Sequence, residues 1–377
     1  MKIHPSNFIA LIVFVTLLIY FFKQRAYAAM SDTHDLKKQI DQTGTGYLAD
    51  HSNGALVIAF YQRGNKSFQG FGKTSGSNAN PPDARTIFEI GSVTKNFTAT
   101  MLAKMADDGS VKLDDPITLY LPKDVVSPKK NGHEITLENL ATHTSGLPRL
   151  PENLFATVKD QRNPYANYTT EDLYKSLATV QLAGEPGEKS VYSNYGYGLL
   201  GKILELKAGK PYETLIQEMI CVPLDLKNTT TKLSAEQKEQ LTLGHNSKGE
   251  IVPNWDQDAM APAGAICSDA EDMLKFIEAN LGKTNSEISK ALNVTQEVHF
   301  KTISGGIGLG WQIKQMAGAP TVFWHNGGTG GYRSFVGFDK QNQVGVVVLS
   351  NYGDAKDSSV DQMGMKLLKI GSKVSLE

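Results

Sequence analysis

Ser92 and Lys95, in the stretch FEIGSVTKNFTATMLAKM, stand about one helical turn apart where a strand-like run gives way to a helix-like one. A serine hydroxyl is a poor nucleophile near neutral pH. An amine on the same helix face can take its proton, provided the amine is itself kept neutral. The spacing alone decides nothing, because a serine near a helix start also caps backbone N–H groups while a nearby lysine faces solvent. SPKK at residues 127–130 fits the same pattern. The chemistry therefore needs partners elsewhere in the chain.

Two other stretches offer them. In VYSNYGYGLLG, Tyr192 and Asn194 stand two apart just before an apolar helix, and an extended segment there puts both side chains on one side. A phenol in that place can exchange protons with Ser92 and with a leaving group, while an amide can hydrogen-bond a substrate carbonyl and the lysine. A packed tyrosine and a turn asparagine are the plain alternative, and YAN at residues 165–167 repeats the spacing in a polar loop. In WHNGGTGGYRS, His325, Asn326 and Gly327 end a strand. The glycines that follow let a substrate lie along the strand edge and accept backbone N–H bonds. There the alternative is a hairpin turn with a structural histidine. No serine carries the G-x-S-x-G surround of a nucleophile elbow.

Elements that hold these residues follow from the pattern. SDTHDLKKQI predicts an opening helix, and ALVIAFYQRGNKSFQGFG a hairpin around Arg63, Gly64 and Asn65. SFQGFGKT within it nearly spells a phosphate loop but starts on Ser67, a chance match. Val93, Phe97, Met101 and Met105 recur every four residues and predict a helix with a narrow apolar stripe, ended by Gly109 and starting at Ser92. Helical patterns and loops fill residues 110 to 290; strands return in the last eighty residues, before a closing helix in VDQMGMKLLKI. Strands at both ends with helices between predict an α+β fold: one antiparallel sheet built from both chain ends, flanked by helices, with an inserted mostly helical region. The sheet part takes residues 31–90 and 291–377, the helical part 91–290. The two share a cleft, because the chain leaves and re-enters the sheet.

Composition narrows the partners. Thirty-eight basic and 39 acidic residues are mixed without a basic run, which argues against nucleic acid. Cys221 and Cys267 are too few for a disulfide framework and read as small buried residues, with a single disulfide between them as the alternative. No histidine or cysteine cluster has zinc spacing; HEITL at His133 lacks the second histidine. Residues 1–28 combine Lys2, an apolar stretch over 8–22 and an A-x-A site at Ala26 and Ala28, the pattern of an export signal cut after Ala28. Lys23 and Arg25 behind the apolar stretch also suit an uncleaved membrane anchor. Either way residues 29–377 form the exported part, in the periplasm or outside the cytoplasm.

Taken in order, S-x-x-K, Y-x-N and H-x-G resemble the three motifs of the penicillin-recognising serine hydrolases, in the branch of class C β-lactamases, D-alanyl-D-alanine carboxypeptidases and related esterases. HTSGLP, PGEKSVYSNYGYGLLGKILE, AGAICSDAEDMLKF and GLGW look like that branch's connecting segments, from about residue 40 to 352. The resemblance implies Ser92 as the acylated nucleophile, Lys95 as its proton partner and Tyr192 as general acid/base. It implies substrate binding by Asn194, His325, Gly327 and Gly328, with an oxyanion hole formed by the N–H groups of Ser92 and Gly328. Neither metal nor organic cofactor is implied. His325 departs from the lysine of K-T-G: its ordinary pKa of about 6.5 leaves it mostly neutral at neutral pH, so Arg333 becomes the candidate for the missing positive charge. The implied substrates are β-lactams or D-alanyl peptides, with short acyl esters, or a penicillin-binding sensor without turnover, as alternatives.

Overall fold

The computed structural model describes residues 36–74, 80–284, 286–315, 318–354 and 358–373. The export segment expected at residues 1–28 lies outside them. Among the described residues no helix is long and apolar enough to cross a membrane.

Helix α1 spans residues 36–50. Strands β1 (Ala55–Gln62) and β2 (Asn65–Gly72) form the expected hairpin. Its turn puts Arg63 at φ 49° and Gly64 at φ 96°, the left-handed pair whose twist matches that of the strands. Six strands come from the other end of the chain: β3 (Phe300–Thr302), β4 (Gly305–Ile307), β5 (Gln312–Lys314), β6 (Val322–Gly328), β7 (Arg333–Asp339) and β8 (Val344–Ser350). The sheet order is β2-β1-β8-β7-β6-β5-β4-β3, and every pairing is antiparallel. The two chain ends meet where β1 pairs β8, with Ile58 opposite Val348.

Alternation along β1 explains why both faces of this sheet are covered. Leu56, Ile58 and Phe60 point to one face, where they pack with Leu36 and Ile40 of α1 and Leu367 and Leu368 of α5 (Ser359–Lys373). Val57, Ala59 and Tyr61 point to the other, into the main core with the helical region. Fully burying a side chain of this kind stabilises by about 1.5–3 kcal/mol, so the central strands β1 and β8 read as apolar runs instead of alternating ones.

Helix α2 (Thr94–Asp107) is the axis of the molecule. The sequence predicts a narrow apolar stripe on it, and the structure corrects this: every residue from 94 to 103 is buried. Helices and helical turns pack around it, including the helix Asn194–Ala208, the turn Ala261–Gly264 and the short helix Ser289–Thr295, so its polar side chains are bonded internally. Asn96 Nδ2 donates to Gly310 O at 3.0 Å and Thr98 Oγ1 to Pro262 O at 2.7 Å. Helix α3 (Asn194–Ala208) presents glycines toward the next segment; a Cβ on Gly201 would lie 2.0 Å from the Pro262 ring. That close approach seats the turn Ala261–Gly264 against α2 and α3. Helix α4 (Ala270–Asn280) follows, capped by Asp269.

Candidate active site

A short 3-10 turn, Gly91–Val93, leads into α2, so Ser92 sits at the helix start as the sequence predicts. Gly91 there has φ 51°, and a Cβ on it would meet Gly328 N at 2.6 Å. Only glycine allows the serine turn to press against the end of β6. Gly327 is equally obligatory, since its Cβ would lie 2.0 Å from Ile90 O. Thr329 N donates to Tyr332 O across the β6–β7 turn. Alternation along an antiparallel strand therefore directs the Gly328 N–H off the opposite edge, toward Ser92. Ser92 N–H belongs to the first turn of a helix and has no acceptor within that helix.

Lys95 is wholly buried. Its Nζ lies 3.2 Å from Ser92 Oγ and donates to Ala263 O at 2.6 Å. Among the described residues no carboxylate pairs with it. Burial, reinforced by the positive charge of Arg149, holds its pKa well below the ordinary lysine value. Tyr192 packs between cations: Lys95 Nζ is 4.9 Å and the Arg149 guanidinium 5.1 Å from the centre of its ring. Burial pushes its phenol up to about 12, against the opposing pull of a Ser92 hydrogen bond and of Arg149.

Asn194 is the first residue of α3, behind the cap Ser193, whose hydroxyl accepts Gly196 N–H at 2.9 Å. Its Oδ1 is buried and has no hydrogen-bond partner among the described residues. Ser92, Asn194 and Gly328 line a narrow recess with Tyr165 and Trp255. On the Tyr192 side the site opens into a cleft of about 610 Å³, walled by Arg149, Gly327, Gly328, Arg333 and Asp361. Arg333 faces Gly328 across the β6–β7 pair and donates from Nε to Asp354 O at 2.7 Å.

His325 stands elsewhere than its neighbours in sequence. It is 2% exposed, lies behind the cleft and faces Tyr192 at 6.4 Å between ring centres. Its Nδ1 is 2.6 Å from the carbonyl oxygen of Asn326, which can only accept, so Nδ1 carries the proton. Burial, then the nearby Lys95, lowers its pKa to about 3. The ring is neutral more firmly than the residue type alone implies.

Several contributors were not singled out from the sequence. His143 packs on Tyr192, Arg149 overlies it, and Tyr165 meets Trp255 edge-on with ring centres 5.1 Å apart. Tyr165 belongs to the YAN repeat read as incidental. Its loop folds over the recess because Trp255 Nε1 donates to Arg162 O at 2.9 Å and Asp256 N to Asn163 Oδ1 at 2.9 Å. Cys221 and Cys267 are buried and free, as expected.

Residues 40–368 match the β-lactamase family. The chain belongs to the β-lactamase family. Its relatives agree: it is 31% identical to the D-alanyl-D-alanine-carboxypeptidase/endopeptidase AmpH of Escherichia coli K12, over 80% of this chain and 81% of that protein. It is 27% identical to a β-lactamase of Pseudomonas fluorescens, over 84% and 94%. A β-lactamase/D-alanine carboxypeptidase from Yersinia pestis, crystallised with citrate, superposes with a TM-score of 0.76 at 27% identity, over 90% of this chain and 98% of that one. This family member is thus an enzyme, a serine hydrolase with the β-lactamase/transpeptidase-like fold.

Proposed function

We propose that this hydrolase forms an acyl-enzyme on Ser92 with β-lactams or D-alanyl peptides. The observation that carries the reading is the buried, carboxylate-free Lys95 with its Nζ 3.2 Å from Ser92 Oγ. A lysine held below its ordinary pKa can accept the serine proton as Oγ attacks the carbonyl carbon. Tyr192, protonated up to about 12, gives its proton to the departing nitrogen and recovers one from the Lys95 side. Lys95 and Tyr192 titrate as one coupled pair, so base and acid are roles of the pair. The oxyanion would be met by the N–H groups of Ser92 and Gly328, and the substrate amide by the open Oδ1 of Asn194. Because Tyr192 faces the wide cleft and Asn194 the narrow recess, the leaving group lies on the first side and the acyl group on the second.

The neutral, buried His325 favours peptidase or esterase turnover over efficient β-lactam hydrolysis, since the charge that the K-T-G lysine brings is missing there. Arg333 and Arg149, both at the wide cleft, are the cations left to meet a substrate carboxylate. Export through residues 1–28 belongs to the same reading. The test is intact-protein mass spectrometry after adding a penicillin, with Ser92→Ala as control. A mass adduct absent from the control supports the acyl-enzyme, and its persistence or decay separates peptidase-like from lactamase-like behaviour. No adduct and no β-lactam consumed would move the esterase reading to the front.

A further inference from the structure

Glu89 lies three residues before Ser92, in the two-residue strand Phe88–Glu89 that pairs with Cys267–Ser268. It is 5% exposed, and among the described residues no cation pairs with it. Its Oε1 instead accepts two hydrogen bonds at 2.9 Å, from Trp255 N and from Asn254 Nδ2. Asn254 Nδ2 is also 3.0 Å from the Tyr332 hydroxyl. Burial is the largest influence on the carboxyl and holds its pKa above the usual carboxylate range, ahead of the opposing pull of Thr329, Asn254 and Trp255.

The other oxygen is unaccounted for. Glu89 Oε2 is buried without a completed hydrogen bond, and so is Thr329 Oγ1. Yet the Thr329 hydroxyl is near enough to act on this carboxyl as a hydrogen-bonding neighbour. Two buried polar atoms left open are costly, and each is what the other lacks. Thr329 directly follows Gly328, and Glu89 lies two residues before the turn Gly91–Val93 that carries Ser92. The pair would therefore tie together the two segments whose N–H groups form the oxyanion hole.

Resting on the Ser92 reading above, we propose that Glu89 is a positioning residue: it accepts Trp255 N–H at Oε1 and the Thr329 hydroxyl at Oε2, fixing the Gly328 N–H relative to the Ser92 N–H. Glu89 touches no substrate. It acts through Thr329 and through the Trp255 wall of the acyl recess. Glutamine keeps both contacts, with a carbonyl for Trp255 and an N–H that the Thr329 oxygen can accept.

The experiment compares wild type, Ser92→Ala, Glu89→Ala, Glu89→Gln and Thr329→Val, with a penicillin and a p-nitrophenyl ester as acyl donors. Displacing one oxyanion donor should slow the acylation step at saturating substrate by about tenfold or more in Glu89→Ala and in Thr329→Val, with KM changed less than about threefold. Glu89→Gln should recover most of the rate. The double variant Glu89→Ala/Thr329→Val should be no slower than the worse single one, because both remove the same contact. Thr329→Val deletes only a hydroxyl and keeps the test valid if Glu89→Ala does not fold. If Ser92→Ala is inactive while Glu89→Ala and Thr329→Val acylate like wild type, the inference falls and the nucleophile stands. If Ser92→Ala keeps its activity, or wild type is acylated by neither donor, the nucleophile reading falls and takes this one with it.

Discussion

The imidazole of His143 packs on the phenol of Tyr192 with ring centres 4.4 Å apart, and its Nδ1 accepts the backbone N–H of Ser193 at 3.1 Å. The His143 carbonyl also accepts Val191 N–H at 2.8 Å, so one residue grips the segment on both sides of the tyrosine. An Nδ1 that accepts leaves the ring proton on Nε2. Burial first, then Lys95, His325 and Arg149, hold its pKa well below the histidine value, so the ring stays neutral.

That grip predicts a positioning effect. His143 has φ 62°, which asparagine tolerates, so His143→Asn keeps the backbone while removing the ring. Acylation should slow by about ten- to a hundredfold, the loss that follows from misplacing a reacting group by about 1 Å. The fall should appear in kcat, measured by stopped-flow acylation. A variant that loses only thermal stability would make His143 a packing residue and nothing more.

Lys95 and Tyr192 together predict a pH profile. The depressed lysine pKa means the neutral amine gains population as pH rises through that value, so acylation should climb on the acid side. It should then hold a plateau, because Tyr192 keeps its proton up to about 12. Lys95→Arg puts a permanently charged group in the same place. Its rate should drop by at least about a hundredfold, within the range a general base contributes. A variant that acylates normally with the acid limb intact would assign the base elsewhere.

Arg149 and Arg333 make separable predictions, since one overlies Tyr192 and the other faces Gly328. With a carboxylate-bearing donor, Arg333→Ala should weaken acylation about tenfold, the worth of one charge-assisted hydrogen bond. With a neutral ester the same variant should match wild type. Equal effects on both donors would remove Arg333 from carboxylate recognition. Arg149→Ala should additionally shift the acid limb to higher pH, because it removes a positive charge that lowers the Lys95 pKa.

What the chain made legible is what short spacing encodes. Ser92 and Lys95 are held by one helix turn, Tyr192 and Asn194 by one helix start, Gly327 and Gly328 by one strand end, and these were readable. That both chain ends build one sheet was readable too, because β1 and β8 are both apolar, strand-like runs. His143, Arg149 and Trp255 reach the site only after folding, across contacts whose partners lie tens of residues away, and Glu89, although three residues from Ser92, finds its partners Asn254 and Trp255 only then. The all-round burial of α2 was hidden for a related reason. Thr94, Asn96 and Thr98 look solvent-facing in sequence, and their partners, the acceptors Gly310 O and Pro262 O and the donor Ile266 N–H, belong to other segments. His325 shows the same limit, as the motif gave its position in the chain but not that strand β6 would turn it inward.

His299 predicts how stability depends on pH. Its Nδ1 meets Glu138 Oε1 at 2.6 Å and its Nε2 meets Val294 O at 3.0 Å, so the doubly protonated ring satisfies both. Burial opposes the charge, but Glu138 and Val294 outweigh it and raise the pKa. A raised folded pKa gives stability that is full below the unfolded value of about 6.5 and is lost as pH rises through the folded value. Urea unfolding should show about 1–2 kcal/mol lost across that window, and His299→Gln should flatten it. An unchanged slope in the variant would leave the pair without energetic weight.

Asp269 acts over a lower window, with the same sign. It caps α4, accepting Asp272 N at Oδ1 at 2.8 Å, and it is buried beside the equally buried Asp272. Burial, then the Asp272 charge, pushes its pKa up to about 7. A carboxyl whose unfolded pKa is about 3.9 therefore supports the fold fully only below that value. Its contribution is lost as pH rises to about 7, where the chain must hold a carboxylate next to another. Asp269→Asn keeps the capping oxygen and removes the charge, while the Asn228 amide, now 2.6 Å from Oδ2, can turn to present its oxygen to the new N–H. At pH 8 the variant should be more stable than wild type by about 1–2 kcal/mol, and at pH 4 equal to it or slightly less stable. Denaturant midpoints at the two pH values decide this. A variant that is less stable at both would mean that the hydrogen bonds of the ionised Asp269 outweigh its repulsion from Asp272.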